Sequence, residues 1–192
     1  EAFRKMIEIS EKAMIMDPSY SGGYMLRSLI HAKKEQFDES LADARKSVAL
    51  EPSNANGTYY LGTRLVFDGQ PEAAIVVLQR AMRLSPYHPP IYMHWLGFAY
   101  HLAGRYDEAI ETLRASAKKD PKFPLAQMRL AVIYAELGRE EEMRAAAAEA
   151  FRILPGITGE TMIRDYQFRD PKTLERLKAS MIKAGFSLRP ER

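Results

Sequence analysis

The feature that most constrains the fold is an internal repeat with a fixed period. The segment LGFAYHLAGRYDEAI at 96–110 aligns with segments that start at 27, 61 and 130, so the period is 34 or 35 residues. Each repeat has a proline near its end, after the aligned segment. These prolines are Pro52, Pro86, Pro121 and Pro155. A constant period of this length is typical of arrays in which equivalent structural units stack on one another.

Each repeat predicts two antiparallel helices. Apolar and small residues recur at helical spacing across 91–103. Gly104 is expected to end this first helix, because glycine readily adopts the left-handed conformation at a helix end. A second helix is predicted from about Asp107 to Lys119, where Asp120 and Pro121 close it. Since one pair cannot bury its apolar face alone, neighbouring pairs must stack.

Small residues in matching positions predict close packing within each pair. The first helix carries Ser28, Gly62, Gly97 and Ala131 in equivalent places, and a turn residue follows each at Glu35, Gly69, Gly104 and Gly138. In the third copy, Gly97 and Ala109 let the two helices approach, while Tyr100, Tyr106 and Leu113 fill the space between them.

The motif formed by Leu96, Gly97, Tyr100, Ala109, Leu113 and Pro121 resembles the tetratricopeptide repeat (TPR). The resemblance implies an all-α, right-handed superhelical solenoid of antiparallel helix pairs, with about ten to eleven helices. It divides the chain into TPR units at 21–54, 55–89, 90–123 and 124–157. Residues 1–20 match only the second helix of a unit, which indicates truncation upstream, and 158–192 form capping helices and a tail.

The last 35 residues predict a short helix within 159–166 and a longer one at 171–184, with Asp170 as its cap and Gly185 as its stop. The run from Tyr166 to Pro171 is similar to the ends of TPR regions that follow class III adenylate or guanylate cyclase domains in bacteria, and to some winged-helix regulators. This similarity implies an alternative function, as a regulatory or oligomerising region of such a protein. No cyclase catalytic residue lies in the chain.

The TPR resemblance places a partner peptide on the concave surface, which the first helix of each unit lines. The predicted groove residues are mainly apolar and aromatic, and an apolar or amphipathic peptide would suit them. The alternative is that the chain itself, or a second copy, covers them. These residues are Met25, Leu29, Asn56, Tyr59, Thr63, Phe67, Ile91, His94, Phe98, His101, Leu125, Met128 and Val132.

His94 and His101 lie two helical turns apart, so their backbones are about 10 Å from each other. With no cysteine in the chain and no adjacent carboxylate expected in the groove, they make a poor metal site. We expect packed histidines, or polar contacts to a peptide.

Other functional classes find little support in the sequence. It lacks the P-loop, nucleophile-elbow, zinc-protease and dinucleotide motifs, so we expect neither enzymatic activity nor a cofactor. The net charge of +3 is spread through the chain, which argues against nucleic acid as a partner. No apolar run approaches the length of a membrane span. The absence of cysteine fits a reducing compartment, and we expect a cytoplasmic protein.

Overall fold

The computed structural model describes residues 2–164 and 166–188, and α-helix is the only regular secondary structure in this part of the chain. The predicted all-α fold class is thereby confirmed. The described residues contain eleven helices and no strand: α1 Ala2–Met16, α2 Ser21–Lys33, α3 Phe37–Leu50, α4 Ala55–Phe67, α5 Pro71–Leu84, α6 Pro90–Leu102, α7 Tyr106–Lys119, α8 Pro124–Leu137, α9 Glu140–Ile153, α10 Gly159–Ile163 and α11 Pro171–Lys183.

The chain divides into two compact units, Glu1–His88 and Pro89–Arg192. In the N-terminal unit, α2 pairs with α3 and α4 with α5, while α1 packs on α2 and α3 on α4. In the C-terminal unit, α6 pairs with α7 and α8 with α9, while α7 and α11 both pack on α8. The further division into single repeats stays a prediction.

The turn inside each helix pair is built in the same way. Glu35, Gly69, Gly104 and Gly138 have φ angles of 57°, 78°, 76° and 70°. In each turn the next residue donates its backbone N–H to a carbonyl five residues earlier, as Arg105 does to Tyr100 at 2.9 Å. This is the left-handed helix ending that favours glycine, and it confirms the predicted turn positions. Glu35 adopts the same conformation with a side chain.

The predicted close packing is confirmed at both glycine positions. A Cβ atom added to Gly97 would lie 2.6 Å from Cγ of Leu113, and one added to Gly62 would lie equally close to Cγ of Leu78. In the first pair serines take these places. Ser28 Oγ donates to the carbonyl of Ser40 at 2.8 Å, and Ser40 Oγ donates to the carbonyl of Ser28 at 2.9 Å.

The C-terminal helices end the C-terminal unit. Asp170 caps α11, because its Oδ1 accepts the backbone N–H of Lys172 at 3.0 Å, and Gly185 follows the helix with a φ of 88°. Both predicted roles are confirmed. The shorter helix, α10, ends at Ile163, before the predicted limit of 166. Lys183 Nζ donates to the carbonyl of Ala135 at 2.6 Å, near the end of α8.

Candidate interaction site

In the N-terminal unit, the predicted groove residues lie on α2 and α4. Asn56 is exposed, while Met25, Leu29 and Tyr59 are partly exposed. Thr63 and Phe67, at the C-terminal end of the same helix face, are buried. The accessible part of this face therefore combines two aliphatic side chains with an aromatic one and an amide. We call these four residues, Met25, Leu29, Asn56 and Tyr59, the N-terminal face.

Arg64 adds a cation beside this face. Its guanidinium carbon lies 4.8 Å from the ring centre of Phe67, and the rings of Tyr59 and Tyr60 meet edge to face at 5.3 Å. Arg64 Nε is buried without a hydrogen-bond partner among the described residues. Burial lowers the pKa of Arg64 to about 10, so the group stays charged at neutral pH.

In the C-terminal unit, the predicted groove residues lie on α6 and α8, and most are inaccessible. His94, Phe98, His101, Met128 and Val132 are each at most 1% exposed, while Ile91 and Leu125 are partly exposed. We call the seven together the C-terminal face. Phe98 and Met128 therefore belong to the core of this unit, and polar substitution there would destabilise it.

The chain's own tail lies on the C-terminal face. The ring of Tyr166 stacks on Phe98 with centroids 5.6 Å apart and planes at 22°. Phe168 meets the same Phe98 ring edge to face at 6.1 Å, and Trp95 lies 5.8 Å from Tyr166. Tyr166 and Phe168 belong to the segment between α10 and α11, which forms no helix where it is described. An aromatic cluster thus joins this segment to α6.

Arg129 on α8 was not among the residues predicted for this site. It is fully buried, and its guanidinium carbon lies 3.5 Å from the ring centre of Phe98. Nη2 donates to the hydroxyl of Tyr166 at 2.6 Å, but Nε and Nη1 have no partner within the described part of the chain. Burial lowers the pKa of Arg129. The feature that could have revealed it is that Arg129 is the single arginine in the run from Met128 to Ala135, all of which is buried.

His101 contacts a carboxylate, so the expectation that no carboxylate adjoins the histidines was wrong. His101 Nε2 lies 2.9 Å from Glu136 Oε2. Ser180 Oγ donates to Glu136 Oε1 at 3.0 Å, and Tyr106 Oη lies 3.4 Å from Oε2. Glu136 belongs to α8, one repeat further along the chain, and the alignment of single repeats did not pair it with His101.

Both histidines are held neutral. Burial lowers the pKa of His101, although the hydrogen bond and charge of Glu136 act in the opposite direction. Burial, aided by the charge of Arg129, holds the pKa of His94 well below its ordinary value of 6.5. Since a carboxylate only accepts, His101 donates from Nε2, and its Nδ1 is left without a partner among the described residues, as is Nδ1 of His94.

The described residues offer neither a metal site nor a membrane-spanning helix. No group of three or more His, Cys, Asp or Glu side chains is placed to hold a metal ion. No helix there has the length and apolarity needed to cross a membrane.

Comparison with known proteins identifies the repeat. A family model described as tetratricopeptide repeat matches residues 65–127 and 100–153. Residues 65–153 are tetratricopeptide repeats. TPR repeat-containing protein YpiA of Bacillus subtilis (strain 168) is 26% identical over 153 residues, which cover 78% of this chain and 34% of YpiA. The chain thus spans about a third of that TPR relative's length.

Solved structures share the fold. YrrB, described as a TPR protein with an unusual peptide-binding site, is 26% identical with a TM-score of 0.63, over 80% of this chain and 79% of YrrB. The type IV pilus biogenesis factor PilW has a TM-score of 0.76 at 16% identity, over 93% of this chain and 82% of PilW. At that identity PilW shows the fold alone. The resemblance of the tail to regions that follow cyclase domains stays a prediction.

Proposed function

We propose that this chain is a protein-interaction module that binds a peptide of another protein on the N-terminal face. The observation that carries the proposal is the accessibility of this face, where Met25, Leu29 and Tyr59 are partly exposed and Asn56 is exposed. A surface of this composition favours an amphipathic helix or an extended segment whose apolar side chains pack against it.

Two further observations support this reading. YrrB, to which the chain is 26% identical, is described as having a peptide-binding site. Arg64, which has no partner for its Nε among the described residues, would provide the peptide with a charged hydrogen-bond donor beside the aromatic side chains.

Selection from a random peptide library displayed on phage, followed by fluorescence anisotropy with the selected peptides, tests the proposal. We expect Leu29→Asp and Tyr59→Asp each to weaken binding by about tenfold or more, because a carboxylate at an apolar contact must lose its hydration. Val76→Asp is the matched control, since Val76 on α5 is 63% exposed and lies outside this face.

The proposal fails if the two variants bind the selected peptides as tightly as the unsubstituted chain. It fails equally if Val76→Asp alone weakens binding. Self-association, the alternative predicted from the sequence, would appear in light scattering as a mass that rises with concentration and falls on substitution of Tyr59.

A further inference from the structure

We propose that the C-terminal face is a second peptide-binding site, specific for a segment in which an Asp or Glu side chain neighbours an aromatic one. Tyr166 and Phe168 occupy this site in the free chain. The inference does not rest on the N-terminal face, and its test leaves that face unchanged, so the two proposals can fail separately.

The charge of Arg129 points to an anionic ligand. A fully buried guanidinium with two unpartnered donor atoms, Nε and Nη1, is unfavourable because a charge and its N–H groups have left water without full replacement. In the free chain the Arg129 guanidinium lies over the face of the Phe98 ring and donates to one neutral hydroxyl, that of Tyr166. Among the described residues it forms no ion pair.

A carboxylate would complete this environment. Its two oxygens can accept parallel hydrogen bonds from the planar fork of an arginine, and the opposite charges attract strongly where water is excluded. The neutral Tyr166 hydroxyl accepts from Nη2 of Arg129. An entering carboxylate would therefore replace a weaker neutral acceptor at the same guanidinium.

The aromatic preference follows from what fills the site now. Tyr166 stacks on Phe98, and Phe168 meets both rings edge to face at 6.1 and 5.8 Å. These contacts come from a segment without helical hydrogen bonds, in which the backbone N–H of Tyr166 bonds to the carbonyl of Ile163. An incoming aromatic side chain can make equivalent ring contacts, so it competes with the tail on similar terms.

Two further polar atoms lie at the site. Nδ1 of His94 and Nδ1 of His101 are buried and have no partner in the described residues. Both histidines border the aromatic cluster: His101 lies 6.2 Å from Phe98, and His94 lies 6.0 Å from Trp95. Because Nε2 of His101 donates to Glu136, its Nδ1 is an acceptor and can receive an N–H group of a bound peptide.

A pair of synthetic peptides tests the inference on the full 192-residue chain. The acidic probe is fluorescein-Ser-Glu-Tyr-Glu-Phe-Ser-amide, whose aromatic spacing copies that of Tyr166 and Phe168. The neutral probe replaces both Glu residues with Gln. Fluorescence anisotropy measures each Kd for the unsubstituted chain, for Tyr166→Phe, which keeps the ring but removes the hydroxyl, and for Arg129→Met, which removes the cation.

We expect the acidic probe to bind about tenfold more tightly than the neutral one, as a charged hydrogen bond at a shielded site would give. Tyr166→Phe should strengthen acidic-probe binding several-fold, because Arg129 loses the one side-chain acceptor that it has among the described residues. Arg129→Met should make the two probes bind equally. Trp95 emission and circular dichroism report whether each variant is folded; if Arg129→Met is not, Arg129→Lys replaces it and should lose most of the preference.

Three results would overturn the inference. One is that neither probe binds the unsubstituted chain or Tyr166→Phe below about 1 mM, a Kd typical of very weak contacts. Another is equal binding of the two probes by the unsubstituted chain and Tyr166→Phe. The third is a dimer in light scattering that excludes both probes, which would assign this face to the tail of a second copy.

Discussion

Arg129 and Tyr166 are joined by a hydrogen bond of 2.6 Å although they lie 37 residues apart in the chain. The bond connects α8 with the segment that precedes α11, and the stacking of Tyr166 on Phe98 extends the connection to α6. The C-terminal face of the TPR array is therefore packed against the chain's own tail.

Removing the side chain of Phe168 should destabilise the C-terminal unit. Phe168 is 8% exposed, and truncation of a buried Phe to Ala costs about 3–5 kcal/mol where the surroundings cannot collapse. We expect the lower end for Phe168→Ala, because the segment can rearrange. Urea unfolding measures the loss. Tyr87→Ala is the control, since Tyr87 is 96% exposed and should change stability by less than about 0.5 kcal/mol.

Gly97→Ala should destabilise the chain by about 1–3 kcal/mol, because the new methyl group would overlap the buried side chain of Leu113. Gly57→Ala is the matched helical substitution. Its Cβ would meet Ser47 Oγ at an ordinary 3.5 Å, so higher helix propensity should stabilise by up to about 1 kcal/mol. Thermal unfolding measures the change in stability of both variants. If the two substitutions destabilise the chain equally, close helix packing does not explain why glycine stands at position 97.

Glu35→Gly should stabilise the N-terminal unit by about 0.5–1 kcal/mol. Glu35 has a φ of 57°, which a residue with Cβ adopts at a cost, and the gain is reduced by the greater freedom of glycine in the unfolded chain. The counterpart Gly104→Ala should destabilise the chain, because Gly104 has a φ of 76° that a residue with a Cβ adopts at a cost. No atom lies within 4 Å of an added Cβ, so the new methyl group would neither clash nor form a compensating contact. Urea unfolding checks both signs.

Stability should fall as the pH drops below 6.5. The folded-state pKa values of His94 and His101 lie below the ordinary 6.5, so the unfolded chain binds protons that the folded chain does not. Each histidine then lowers the free energy of unfolding by up to about 1.4 kcal/mol for each pH unit below 6.5, until the pH reaches its folded-state pKa. Urea unfolding between pH 7.5 and 5, given about five evenly spaced points, should show this slope. A flat profile in the same range would contradict neutral, buried histidines.

Much of this fold could be predicted from the sequence because its signals are local. The turn glycines, the Asp170 cap and the small residue at Gly97 each act through neighbours that the 34-residue register brings together. Which side chains of the first helices face a partner stays a prediction, which the TPR resemblance made with the help of the same register.

The sequence left open whether the chain itself covers the groove residues, but it could not predict that Tyr166 and Phe168 are the residues that cover the C-terminal face. Tyr166 lies outside the repeat, and its pairing with Arg129 and Phe98 depends on the path of an irregular segment, for which periodicity gives no information. Glu136 was missed for a related reason, since its bond to His101 joins two repeats, and comparison of equivalent positions within repeats does not show such pairs.

Acrylamide quenching of Trp95 tests whether the tail covers the C-terminal face in solution. Trp95 is the only tryptophan, and its ring lies 5.8 Å from that of Tyr166. In the unsubstituted chain we expect weak quenching, and a several-fold larger quenching constant with redder emission in the double variant Tyr166→Ala, Phe168→Ala, with helical circular dichroism retained. Equal quenching of the two folded chains would contradict a tail packed on this face.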